Sequence, residues 1–429
     1  MISLGCAKNL VNSEQMMHLL KEAGYGVTGD ADGADVVIIN TCAFIETAKT
    51  EAIETILEIG QKKQEGAVGR IIVAGCLPQR YKDEIMEEMP EIDATVGVGS
   101  FDEIVAAVTN VLDGKQNTAM YGNINSPVSE TSRIITTSKT WTYLKIAEGC
   151  DNRCAFCVIP SIRGRYRSRP IENITAETRR LAEQGIKELI IVAQDVTRYG
   201  LDLYGKRRLT DLLEDISSID GIKWIRLHYL YPDEIDDSLI ETIATNEKIL
   251  KYLDIPIQHI NDAILKKMRR RGTSSDIRAL VKRLRGRIDN VVIRTSIITG
   301  LPGENEKEFD ELCRFLLEAK IERAGVFPYS PEEGTPAAQM ERPDAETAER
   351  RAQIISDIQS NIMHEFSASR IGNATQILIE GRANGNHYGR SYAESPEIDG
   401  YITVKGKNIK IGAFVTARIT DIDEASVGA

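Results

Sequence analysis

The sequence predicts a three-part α/β chain: an N-terminal parallel-sheet domain, a partial (βα)6 barrel and a small C-terminal antiparallel β-barrel. Three observations carry this. Over residues 1–115, short apolar runs alternate with amphipathic stretches, the pattern of a parallel sheet covered on both faces. The same rhythm returns six times over residues 136–366. Residues 367–429 lose helical periodicity and alternate like strands between Gly and Asn turns. A length of 429 residues fits two or three domains, at a soft prior of about 150 residues each.

Taken in order, the first strand is Ile2–Gly5, followed by a helix over Val11–Ala23. Val36–Asn40 is a continuous apolar strand, and Ile45, Ala48, Ala52, Ile53 and Ile56 then recur at helical spacing. Ile71–Ala74 and Ala94–Val98 are further strands, and Phe101–Leu112 reads as a closing helix. Residues 116–135 are polar, without periodicity, and read as a linker. The barrel strands are Tyr143–Ala147, Glu188–Ala193, Trp224–Leu230, Tyr252–Ile257, Val291–Ile298 and Gly325–Tyr329. Helices between them include Ala176–Gln184, Asp276–Arg285 and Lys307–Ala319, and a long charged helix, Asp344–Arg370, leads out. Thr375–Glu380, Gly400–Val404 and Ala413–Ile419 are the C-terminal strands.

Composition narrows the function classes. Hydrophobic residues are 42% and charged residues 27%, a globular balance that excludes wholesale disorder. The longest apolar runs span only a few residues, far short of the roughly 20 that a membrane helix needs. The first residues hold no basic region followed by an apolar core, so no signal peptide is expected and the chain reads as cytosolic. Net charge is −11, divided as −9 over residues 1–140, −2 over 141–366 and zero over 367–429. That distribution disfavours a phosphate backbone as partner and suits a basic one.

Six of the seven cysteines fall into two sets of three, and a cytosolic chain keeps them reduced. Cys6, Cys42 and Cys76 each sit just past the C-terminal end of a predicted strand. In an open parallel sheet those ends line one ligand-binding edge, so three thiols distant in sequence meet in space. Three separate buried cysteines are the alternative. Cys150, Cys154 and Cys157 follow the first barrel strand in Glu148-Gly149-Cys150-Asp151-Asn152-Arg153-Cys154-Ala155-Phe156-Cys157. Thiolates are the usual ligands of iron–sulfur clusters, and three of them on a four-iron cluster leave one iron open. A zinc knuckle is the alternative, but it wants a fourth Cys or His, and the nearest histidine in sequence is His228. Cys313, inside a helix beside Leu312 and Phe315, reads as a core thiol.

The spacing Cys-x3-Cys-x-Phe-Cys after a first barrel strand resembles that of the radical S-adenosylmethionine (SAM) enzymes. The three-part layout resembles the methylthiotransferases among them, over essentially the whole chain. That resemblance implies two four-iron clusters, one on Cys150, Cys154 and Cys157 and an auxiliary one on Cys6, Cys42 and Cys76. It also implies SAM as cofactor and a C-terminal TRAM barrel. Ser3-Leu4-Gly5-Cys6-Ala7-Lys8-Asn9-Leu10, Asp254-Ile255-Pro256-Ile257-Gln258-His259 and Val326-Phe327-Pro328-Tyr329-Ser330 are similar to the branch acting on ribosomal protein S12. The tRNA-modifying branch tends to carry Gln-Ser-Gly where this chain has Gln258-His259-Ile260. The implied reaction inserts a methylthio group at the β-carbon of an aspartate. A sulfur donor and an electron donor such as flavodoxin or ferredoxin are implied partners. The resemblance implies several residues before the first strand, whereas this chain has only Met1 and Ile2 before Ser3-Leu4-Gly5-Cys6, so a start further upstream is expected.

Candidate SAM contacts are Phe156 within the cysteine loop, Gln194 and Asp195 at the second strand's end, Arg226 in the third strand, and Gly300 and Gly303 after the fifth. A ring salt bridge is the alternative for Gln194, Asp195 and Arg226, and a plain turn for the glycines. Arg163, Arg165, Arg167 and Arg169 alternate, so an extended segment would put them on one face, for phosphate or, more simply, for carboxylates. His259 reads as substrate-facing or as a satisfied structural histidine.

Overall fold

A computed structural model describes the chain except Asp83, Gln116, residues 423–426 and Ala429; Val427 and Gly428 are described by backbone pairing alone. The first sheet is parallel, in the order β1 (Ile2–Ser3), β2 (Val36–Thr41), β3 (Arg70–Gly75), β4 (Ala94–Gly97) and β5 (Thr118–Met120). Every residue of β3 after Arg70 is buried, so both sheet faces are covered. The covering helices are α1 (Ala7–Glu22), α2 (Glu46–Gln64), α3 (Cys76–Tyr81), α4 (Glu84–Glu88) and α5 (Ile104–Leu112). Ala52, Ile56 and Ile59 of α2 and Ala107, Val108 and Val111 of α5 join the strands in one core.

The second sheet runs β6 (Trp141–Lys145), β9 (Glu188–Val192), β10 (Trp224–Leu227), β11 (Ile249–Asp254), β12 (Val292–Thr299) and β13 (Arg323–Pro328), all parallel. This is the predicted six-stranded partial barrel. A short antiparallel pair, β7 (Ala147–Glu148) with β8 (Arg167–Ser168), brackets the cysteine loop and α6 (Ile159–Arg163). The C-terminal sheet holds β14 (Ala374–Ala383), β15 (Asn386–Arg390), β16 (Ile402–Val404), β17 (Phe414–Arg418), β18 (Asp421–Ile422) and β19 (Val427–Gly428). Its pairs are antiparallel except β16 with β19.

Two readings change. The segment 116–135, whose first residue lies outside the described residues, supplies β5, which pairs with β4. Three residues are too short to signal a strand by periodicity, and it is the neighbouring strand that fixes them. The rest of that segment is a bolt. Arg133 pairs with Glu14 of α1 and with Glu177 of the helix Ile171–Glu183, and donates to Tyr143 O. The alternating arginines do not share an extended face. Arg163 ends a helix and Arg167 begins a strand, so the chain turns at Gly164 (φ +73). Arg163 and Arg169 are buried on carboxylates, whereas Arg165 is exposed.

The N-terminal domain is fastened to the barrel at two places. Val11, with Ala7 and Leu10 of α1, packs on Trp141, Tyr143, Ile190 and Val192. At the far side of the mouth, Arg80 and Lys49 converge on the buried Glu332, which follows β13. These clamps hold the strand ends of the first sheet over the barrel mouth. Among the described residues no helix is long and apolar enough to cross a membrane.

Candidate active site

The first thiol set is built by strand register. Ser3 lies opposite Asn40 and Thr41 opposite Gly75, so β1, β2 and β3 end level. Cys6 N-caps α1, Cys42 follows β2 and Cys76 opens α3. Two glycines permit the crowding. A Cβ on Gly5 (φ +85) would lie 2.6 Å from Cys42 Cβ, and one on Gly75 (φ +99) would lie 2.4 Å from Asn40 Oδ1. The thiols feel one another. Burial, then the neighbouring Cys76 and Cys6, push Cys42 up to about 12. Burial also raises Cys76, outweighing Arg163. Cys6 goes the other way: burial opposes ionisation, but Lys8, Arg163 and the N–H groups of Asn9 and Lys8 together hold it below the ordinary thiol value.

The second set lies in the loop between Glu148 and α6. Gly149 (φ +79) passes so close to the return strand that a Cβ would lie 2.0 Å from Arg165 O. Cys150 N–H donates to Gly164 O at 3.1 Å and Cys157 N–H to Cys154 O at 3.1 Å, curling the three thiols inward. Burial is the main cause that raises Cys150, to about 11, and Cys157, with Cys154 adding to both. Cys154 Sγ lies 3.6 Å from Tyr231 Oη and accepts from Arg270 at 3.7 Å, while Arg270 stacks on the Tyr231 ring.

Among the described residues no three Cys, His, Asp or Glu side chains close around a single metal ion. A four-iron cube takes each thiolate on a separate iron and so asks for a wider triangle. Two sets of mutually coupled thiols, with cations beside each, fit that donor set.

Arg163 joins the two sets. Its guanidinium donates to Cys76 Sγ at 3.2 Å, Asn9 Oδ1 at 2.9 Å, Asn12 Oδ1 at 3.0 Å and Glu148 Oε1 at 3.1 Å. Glu148 stands two residues before Cys150 and also receives Lys145 and Gln194. Burial opposes its charge, but Lys145 and Arg163 hold the carboxyl well below the usual range. The Arg163 role was missed because the alternating arginines look alike in sequence. A signal was present: Arg163 alone falls within the first turn after the cysteine loop. Nothing in the sequence pointed to Tyr231 or Arg270.

The other predicted contacts separate. Gln194 reaches Glu148 at 2.8 Å, while its buried Oε1 has no partner among the described residues. Asp195 accepts from Asn152 of the cysteine loop at 2.7 Å and from Thr197 N at 3.1 Å, so it buttresses the loop. Phe156 packs beside Ala155, Leu301 and Tyr329. Gly300 (φ +74) lines a cavity of about 380 Å³ with Tyr329, Met340 and Arg342. A Cβ there would come 2.4 Å from Ala348 Cβ, so packing of the helix Ala345–Ser369 also requires the glycine. Gly303 (φ +89) lies against the Lys267 side chain. Arg226 is a correction. Its guanidinium donates to Glu188 and to the carbonyls of Tyr392 and Ser391, the ring salt bridge rather than a contact at the cysteine loop. His259 is fully buried, 3.3 Å from Glu304, a structural placement. Cys313 is half-buried against the barrel core.

Comparison with known proteins follows this layout. Residues 1–97 match an "Uncharacterized protein family UPF0004", residues 144–316 the "Radical SAM superfamily" and residues 371–429 the "TRAM domain". A ribosomal protein uS12 methylthiotransferase RimO from Thermoanaerobacter sp. (strain X514) is 47% identical, covering 99% of this chain and 97% of its own. The RimO of Acetivibrio thermocellus is 48% identical over 99% and 96%. Among solved structures, the radical SAM methyltransferase TsrM from Kitasatospora setae, with cobalamin and a [4Fe-4S] cluster bound, superposes with a TM-score of 0.59 at 16% identity, covering 78% of this chain and 74% of its own. That likeness concerns the fold.

Proposed function

Because this chain belongs to the RimO family of radical SAM methylthiotransferases, we propose that it inserts a methylthio group at the β-carbon of an aspartate of ribosomal protein uS12. It is a transferase of a sulfur-containing group, and an iron–sulfur cluster and SAM are its cofactors. The proposal extends to two four-iron clusters, one on Cys150, Cys154 and Cys157 and one on Cys6, Cys42 and Cys76. The observation that carries it is Arg163, which touches Cys76 and, through Glu148, the base of the Cys150 loop, and so makes the two sets one site.

When bound, the open-iron cluster with SAM supplies a radical able to take an unactivated hydrogen, and the auxiliary cluster supplies sulfur. The protein's work is positioning. Asp195 and Gln194 fix the loop from the barrel side, and Phe156 wedges it against Leu301 and Tyr329. Phe156, Gln194, Asp195, Gly300 and Gly303 remain the proposed SAM-proximal residues; Arg226 does not. The seal of α1 over β6 and β9 keeps water from a reactive intermediate. A sulfur donor, an electron donor such as flavodoxin or ferredoxin, and a cytoplasmic setting complete the proposal.

The test is anaerobic reconstitution with iron and sulfide, then incubation with SAM, reductant and uS12. A methylthio mass increment on one uS12 aspartate is expected. Modified tRNA adenosine, with uS12 unchanged, would transfer the chain to the tRNA-modifying branch.

A further inference from the structure

Lys8 lies two residues past Cys6 in the first turn of α1, and only 7% of it is exposed. Its Nζ stands 3.5 Å from the ring centroid of Tyr229. The groups that favour its charge are Tyr229 and Cys6, and no carboxylate among the described residues forms an ion pair with it. The nearby acids are engaged elsewhere. Glu14 is taken by Arg133, Glu148 by Lys145 and Arg163, and Asp254 by Arg294 and the Tyr229 N–H. Most other buried cations of this chain have carboxylates: Arg169 has Glu177, Arg226 and Arg390 share Glu188, and Arg351 has Glu304, whereas Arg270 lies on Cys154 of the other thiol set. A buried ammonium is costly unless an anion meets it.

Tyr229 is an independent signal. It follows β10, at the strand ends where barrel ligands bind, and holds a left-handed backbone (φ +59) that a bulky aromatic residue rarely adopts. Such strain concentrates at ligand clamps. The Lys8–Tyr229 pair thus links the first thiol set to the strand ends at the barrel mouth.

We propose that Lys8 receives the carboxylate of the aspartyl side chain being modified, fixes its β-carbon between the two thiol sets, and makes the enzyme choose aspartate over asparagine. This deepens the reading above and rests on it. An asparagine amide is nearly isosteric with the carboxylate but carries no charge to offset the buried ammonium.

The experiment uses reconstituted holoprotein, wild type, Lys8→Met and Lys8→Arg, titrated with uS12 carrying either the target aspartate or asparagine there. Iron content and the reduced-cluster EPR spectrum are read alongside. Wild type should prefer the aspartate form by about tenfold or more, as truncating a buried charge pair typically shows. Lys8→Met should lose that preference with its iron and spectrum intact, and Lys8→Arg should keep most of it. Lys8→Met retaining the preference would overturn the proposal. So would Lys8→Met losing the iron of the Cys6 set, because Lys8 would then serve the thiols. Wild-type protein that leaves uS12 unmodified would overturn the functional reading itself, and the aspartate assignment with it.

Discussion

The barrel meets a second domain at two junctions, and their charge is arranged differently. At the junction with the C-terminal sheet, buried cations and hydroxyls meet carboxylates. Glu188 takes Arg226 at 2.8 Å and Arg390 at 2.6 Å, Tyr143 donates to Glu397 at 2.7 Å, Tyr252 to Asp399 at 2.6 Å, and His228 Nε2 meets Ser395 Oγ at 2.9 Å. At the thiol-bearing junction with the N-terminal sheet, Lys145 and Arg163 share one carboxylate, Glu148, Lys8 has none among the described residues, and these cations stand beside the thiols. The matched junction is a permanent joint. The other keeps a surplus of positive charge, which suits anionic ligands, and the chemistry belongs there.

Replacing Cys150, Cys154 and Cys157 by Ala should abolish SAM cleavage and lower reconstituted iron from about eight per chain to about four. Replacing Cys6, Cys42 and Cys76 instead should remove methylthio transfer while 5′-deoxyadenosine is still formed. If either triple variant behaved like the other, the thiol sets would not have separate roles.

At the matched junction the effect should fall on stability. Glu188→Gln leaves two buried arginines without their shared carboxylate, a loss of about 3–5 kcal/mol in urea unfolding of the apo chain. A loss under about 1 kcal/mol would mean that the joint matters less than its burial suggests. Acid should loosen the same joint. Burial is the main reason His228 is lowered to about 3, and Arg390 and Arg226 hold Glu188 low despite burial. Both groups bind protons more readily once unfolded, so their stabilisation is complete above about pH 6.5 and declines as pH falls toward 3. His228→Gln should flatten the upper part of that decline, read as unfolding midpoint against pH.

Smaller effects separate the arginines that look alike in sequence. Arg163→Met should cut methylthio transfer by about 10–100-fold and shift the reduction potential of the Cys6-set cluster, the usual effect of removing a hydrogen bond next to a ligand. An unchanged potential would leave Arg163 a structural role only. Arg165→Ala, on an exposed side chain, should change stability by no more than about 0.5 kcal/mol and leave the potential unmoved.

The sequence by itself determined the three-part layout and both thiol sets. Apolar strand runs repeat at intervals of one crossover, and each cysteine of the first set occupies the same place in that repeat, so local pattern carried long-range proximity. The cysteine loop was legible because its three thiols fall within one short stretch, Cys150 to Cys157. Tertiary structure alone decided the rest. It turned a polar stretch into a sheet strand and a buried bolt through Arg133, gave Arg226 to Glu188, and drew Arg163 and Lys8 into the site. Pattern reports which face a residue takes, but the partner of a buried charge depends on which elements pack together, and that is set by segments more than a hundred residues apart in the chain.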